Sequence, residues 1–166
     1  MRFNYWKRCI SRWQICLMGV LWMGLVFPGP MLAQQQKRPD ETSGICPQPR
    51  QTVKAPGEYL NRSNPVAATP QNVLAGKTLF RVDAKPTACK VCHGISGDGL
   101  GILFHRVKPK PRNFTCVHTM EDLPDGQLFW VIKNGSPGTA MPSFSYLADE
   151  QVWQLILYLR SFSKKE

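Results

Sequence analysis

Apolar positions along the chain fall into four blocks of different character. The first is a continuous run from Ile15 to Phe27, short of the roughly 20 apolar residues that a bilayer-spanning helix needs. The second recurs at helical spacing. Val73, Gly76 and Phe80 share one face of a helix that starts at Thr69-Pro70. Threonine is a favourable N-cap, and proline at the first helical position gives up no needed N–H. Glycine costs helix stability, so Gly76 predicts a close helix crossing. The third block holds Leu128, Val131 and Ile132, in a helix that starts at Leu123-Pro124-Asp125 with Asp122 as its cap. Asn134-Gly135 ends it, because glycine supplies a left-handed residue beyond the last turn. The fourth block is the helix 149–162, with Val152, Trp153, Leu155, Ile156, Leu157, Tyr158, Leu159 and Phe162. It is apolar on nearly every side, which predicts burial. Asp149 and Glu150 at its start and Lys164-Lys165 after its end suit the helix dipole. It is also too short to cross a membrane.

Polar, glycine-rich and proline-rich stretches separate these blocks. Residues 34–69 contain Gln34-Gln35-Gln36, five prolines and few apolar side chains, which reads as a linker or as an extended arm lying on the domain. Gly94, Gly97, Gly99 and Gly101 predict tight turns and a close backbone approach to something flat. Lys108-Pro109-Lys110-Pro111-Arg112 denies both helix and sheet and predicts an extended loop. Gly135 to Pro142 is another loop, carrying Met141 before a proline. The organisation expected is therefore an export segment at 1–33, an arm or linker at 34–69 and a helical domain at 70–166.

Charge sharpens the first of these. The 166 residues carry 21 Lys and Arg against 11 Asp and Glu, a net charge of +10. Arg2, Lys7, Arg8 and Arg12 precede the apolar run, Pro28-Gly29-Pro30 breaks it and Ala33 offers a small residue for cleavage. This is the layout of a secretory signal peptide. Met31 is larger than the residue usual three positions before the cut, which leaves an uncleaved anchor through residues 15–27 as the alternative. Cleavage removes four basic residues and leaves a net charge of +6, too small an excess to point to nucleic acid. It suits an acidic protein partner or an anionic membrane surface.

The six cysteines sort by position. Cys9 and Cys16 lie in the export segment, and Cys46 and Cys116 are either a disulfide or two unpaired thiols. Cys89 and Cys92 belong to Ala88-Cys89-Lys90-Val91-Cys92-His93-Gly94, the C-x-x-C-H spacing for covalent attachment of haem c. Each thiol adds across one haem vinyl group, and one turn of backbone matches the gap between the two vinyls. His93 then offers an imidazole nitrogen to the iron, and a carbonyl of the proline loop can accept the second ring N–H. Met141 is the best second axial ligand, ahead of Met120, His105 and His118, because a stiff Gly/Pro loop can deliver a thioether from the far side. Trp130 either packs on the haem or donates to a propionate, or is a core aromatic. A Cys3His zinc set of Cys89, Cys92, Cys116 and His118 would leave His93 unexplained. A thioredoxin-like pair needs a strand–helix setting that the residues around Cys89 lack.

With these residues in order, 70–163 resembles a bacterial monohaem class I c-type cytochrome. The likeness rests on Gly76 and Phe80, the Cys89–His93 motif, the Gly97–Gly101 turn, the Pro109/Pro111 loop, the Met141 loop and the aromatic last helix. It implies an all-α fold, a small helical bundle around one covalent haem c. The first and last helices should cross where Gly76 and Phe80 meet Trp153 or Tyr158. The cofactor-binding residues implied are Cys89, Cys92, His93, Met141, Trp130 and Pro111, with His93 and Met141 on the metal. The expected function is non-enzymatic one-electron transfer in the periplasm with transient redox partners, steered by Arg106, Lys108, Lys110 and Arg112. Two alternatives keep the haem: a subunit of a larger respiratory complex, and a haem protein with an open distal site. Ala148 departs from the Ser or Thr that the family often carries as cap of the last helix, and residues 34–69 fall outside the likeness.

Overall fold

The computed structural model describes residues 44–49 and 52–163. The export segment at 1–33 lies outside the described residues. Among the described residues the regular structure is entirely helical. In chain order it comprises α1 (Gly57–Leu60), α2 (Pro70–Thr78), α3 (Lys90–His93), α4 (Val117–Met120), α5 (Asp125–Asn134) and α6 (Asp149–Ser161). A π-helical turn, Leu79–Asp83, continues α2, and a 3-10 turn covers Phe104–Arg106.

The pairing of α2 with α6 organises the core. Thr69 caps α2 by accepting the Asn72 N–H at 3.2 Å. Gly76 is buried where the helices cross. A Cβ there would lie 2.0 Å from the Gln154 carbonyl oxygen, so only glycine allows this approach. One turn on, fully buried Phe80 packs edge-on to Tyr158, with ring centroids 5.5 Å apart, and meets Phe162 at the same distance. Full burial of such a ring stabilises by roughly 1.5–3 kcal/mol relative to exposure. Trp153 faces the other way. It stacks on Phe129 of α5 at 4.4 Å, with the Arg62 guanidinium over the Phe129 ring, also at 4.4 Å. The crossing therefore uses the backbone at Gln154 and Leu155 with the Tyr158 ring, and Trp153 belongs to the α5–α6 contact.

One cap assignment changes, and the absent cap at Ala148 gains a partial substitute. The residue at the N-cap of α5 is Pro124, not Asp122, and no side chain caps that end. Asp125 instead binds Arg160 near the end of α6, Nε to Oδ1 at 2.8 Å, and the same guanidinium donates to the Met120 and Leu123 carbonyls. At α6, Ala148 offers no side-chain cap. Its own N–H donates to Gln151 Oε1 at 2.9 Å, the return half of a capping box, which offsets part of the missing cap.

The segment before α2 lies along the helices. Cys46 and Cys116 form a disulfide, with Cα atoms 5.5 Å apart. Gln127, almost fully buried in α5, accepts the Ala55 N–H at 2.8 Å and donates to the Val53 carbonyl at 3.1 Å. Asn64 donates to the Trp153 carbonyl at 2.9 Å.

Candidate haem site

Cys89, Cys92 and His93 sit on one short turn. The His93 N–H donates to the Cys89 carbonyl at 2.9 Å and the Cys92 N–H to the same oxygen at 3.2 Å. This puts the two thiols three residues apart, on one side of a helical turn. Gly94, at φ 78°, ends the turn in a conformation that side chains resist. The glycines that follow do not line the cavity. A Cβ on Gly101 would lie 2.4 Å from the Val91 carbonyl oxygen, and one on Gly97 would meet the Phe162 ring at 2.7 Å. The flat neighbour of this turn is thus the chain itself, and the glycines let the turn close onto α3.

Both thiols and the imidazole open onto one cavity of about 860 Å³, counting its mouth. Its walls are mainly apolar, drawn from Phe80, Pro111, Ile132, Phe144, Leu155 and Leu159. A second, smaller space shares His93, Arg112, Phe114, Ile132, Met141 and Leu159 with it. Burial pushes the Cys89 thiol up to about 12, against the downward pull of a backbone hydrogen bond, and it raises Cys92 as well. Reactive dithiols work through a lowered thiol pKa, so this pair is poorly suited to disulfide exchange.

His93 is held in one tautomer. Nδ1 lies 3.0 Å from the Arg112 carbonyl oxygen, which can only accept, so Nδ1 carries the proton and Nε2 keeps its lone pair. Burial lowers the His93 pKa. The bond to the Arg112 carbonyl opposes that shift, and the Arg112 charge adds to it. The imidazole is therefore neutral at pH 7, the form that binds a metal. Phe114 stacks on the ring with centroids 4.7 Å apart. The sequence points to this loop as the acceptor. The acceptor atom belongs to Arg112, while Pro111 forms cavity wall.

Met141 lines both spaces. Its loop is locked by hydrogen bonds: Ser136 N–H to the Met141 carbonyl at 3.1 Å, Met141 N–H to Thr139 Oγ1 at 3.1 Å, and Thr139 Oγ1 to the Ser136 carbonyl at 2.7 Å. Thr139 thus ties the Met141 loop together, a part that spacing alone does not reveal. The three competitors lie elsewhere. Met120 is fully buried in the core, His105 is exposed, and His118 is exposed beside Glu121 at 3.7 Å. Trp130 is half-buried on α5 and is not on the cavity wall; Ile132 takes that place. Among the described residues no three His, Cys, Asp or Glu side chains group as metal ligands, and Cys116 is held in its disulfide, which removes the zinc set. Of the four basic residues of the loop region, Arg106 and Lys108 are exposed. Lys110 Nζ donates to the Phe104 carbonyl at 2.7 Å, and Arg112 donates to the Gln48 carbonyl at 3.2 Å.

Two thiols, one oriented neutral imidazole and a thioether on a single apolar cavity fit a covalently held haem c. A helical bundle built around that cavity defines a bacterial c-type cytochrome, the class that carries covalent haem c for electron transfer. The family model described as cytochrome c oxidase, cbb3-type, subunit III matches residues 71–159, and the chain belongs to this family. Among solved structures it is similar to a chain of the Kuenenia stuttgartiensis reducing HAO-like protein complex, at 25% identity and TM-score 0.51. That match covers 70% of this chain and 52% of the other, so the likeness spans about half of the longer chain. A comparison with curated proteins finds no match.

Proposed function

We propose that this chain is an exported one-electron carrier holding one haem c through Cys89 and Cys92, with His93 and Met141 as the axial ligands. The observation that carries the reading is that all four side chains open onto the same apolar cavity. The haem supplies the one-electron couple. The chain's part is to orient and to exclude water. Arg112 fixes the His93 tautomer, so Nε2 is available without loss of a proton. The Ser136–Thr139 bonds hold Met141 in place, and Ile132, Leu155 and Leu159 keep the pocket dry. Low polarity and a thioether ligand both favour the less charged, reduced state and so raise the potential. With both axial positions taken by the chain, no site is left for a substrate, which makes the protein a carrier rather than an enzyme. Exposed Arg106 and Lys108 would steer an acidic partner, and the N-terminal segment would deliver the protein to the periplasm, where covalent haem attachment takes place.

Mass spectrometry of the peptide containing residues 89–93 tests the attachment. One haem mass on that peptide is expected, and an unmodified peptide from the purified native protein would refute the proposal. A second reading has its own support. The names of both the family and the Kuenenia structure are those of subunits of assemblies, which supports a role as the haem subunit of a larger redox complex. Fractionation separates the two: a soluble species whose N-terminus lies near Gln34 favours the diffusible carrier, and co-purification with membrane subunits favours the complex.

A further inference from the structure

Every polar group of Gln48 is engaged, and all but its backbone N–H bind the loop that orients His93. Its side-chain amide donates to the Lys110 carbonyl at 3.2 Å and the Pro111 carbonyl at 3.0 Å, and its Oε1 accepts the Asn113 N–H at 3.0 Å. Its backbone carbonyl accepts from the Arg112 guanidinium at 3.2 Å, and its N–H donates to Thr119 Oγ1 at 3.0 Å. These bonds bracket Arg112, whose carbonyl holds His93 Nδ1. Two residues earlier the arm is covalently fixed by Cys46–Cys116, and beside it Asn113 Nδ2 donates to the Ile45 carbonyl at 3.4 Å. The arm also abuts the turn after the C-x-x-C-H motif, since a Cβ on Gly44 would lie 1.6 Å from the Asp98 carbonyl oxygen.

A proline-rich loop cannot brace itself. Pro109 and Pro111 have no N–H, so no internal ladder holds the 108–113 strand of backbone. An amide side chain, with two donors and an acceptor, can replace that ladder from outside. We propose that Gln48 is a positioning residue for the axial histidine: the arm, clamped by its disulfide, sets the place of the Arg112 carbonyl and thereby the strength of its hydrogen bond to His93. The inference rests on the reading of His93 as the haem ligand.

The test measures solvent exchange of the His93 Nδ1 proton by NMR in the reduced holoprotein. Gln48→Ala should speed that exchange on the order of ten-fold, the consequence of weakening about one net hydrogen bond. Gln48→Glu keeps the size and the acceptor for Asn113 but loses both donors, and should speed exchange comparably if the alanine variant fails to accumulate. Asn64→Ala loosens the arm at the Trp153 carbonyl, away from the loop, and should leave the rate at the parent value. Parent-like exchange in both Gln48 variants would overturn the proposal, as would equal acceleration in Asn64→Ala. Absence of covalent haem from the parent protein would instead refute the reading of the site itself.

Discussion

His93 is constrained by its own helical turn and by two neighbours on one later loop. Its place on α3 is local, its tautomer is set by Arg112 nineteen residues on, and its ring plane is packed by Phe114. Cys89, Cys92 and His93 are legible in the sequence because one helical turn contains all of them. The place of Met141 on the cavity wall is legible because a stiff Gly/Pro loop can deliver its side chain from the far side. Arg112, Thr139 and Gln48 are not legible, because what each does depends on a backbone group or partner that folding brings close. The residue-scale prediction concerns Met141. Met141→Ala should retain covalent haem and lower the reduction potential relative to the parent, because a thioether favours the reduced iron. Potentiometric titration reads this directly, and an unchanged potential would show that Met141 is not a ligand.

At the scale of elements, the α2–α6 crossing carries the strongest steric demand. Gly76 faces backbone rather than a flexible side chain, so an added methyl cannot be absorbed by a rotamer change. Gly76→Ala should therefore destabilise the protein by about 1–3 kcal/mol despite alanine's better helix propensity. Denaturant unfolding of the holoprotein checks the sign, and a gain in stability would mean that the helices cross elsewhere. The periodicity of Val73, Gly76 and Phe80 made this contact readable in advance, since only a close partner justifies glycine in mid-helix. The ends of helices were less readable. Asp122 has the right chemistry for a cap, but its place is taken by Pro124, and Gln151 supplies the half cap that Ala148 cannot. The Gly97–Gly101 turn shows the same limit: glycine reports a close approach without saying to what.

At the scale of the whole molecule, the segment before α2 is integral to the described structure. The disulfide joins residues 70 positions apart, and Gln48, Ala55 and Asn64 add hydrogen bonds along its course. Composition alone could not separate an arm from a linker, because proline and glutamine suit both and the partners are all long-range. Closing a loop of that length restricts the unfolded chain, so replacing both cysteines, Cys46→Ser with Cys116→Ser, should cost about 2–4 kcal/mol. A thermal midpoint equal to the parent's would show that the disulfide contributes nothing to stability. The central claim, a covalent haem closed on both sides by the chain's own ligands, is tested most directly by the absorption spectrum of the reduced purified protein before and after carbon monoxide is added. The account predicts a c-type haem spectrum that carbon monoxide leaves unchanged. A shift of the haem bands on adding carbon monoxide would contradict it, because the second axial position would then be open.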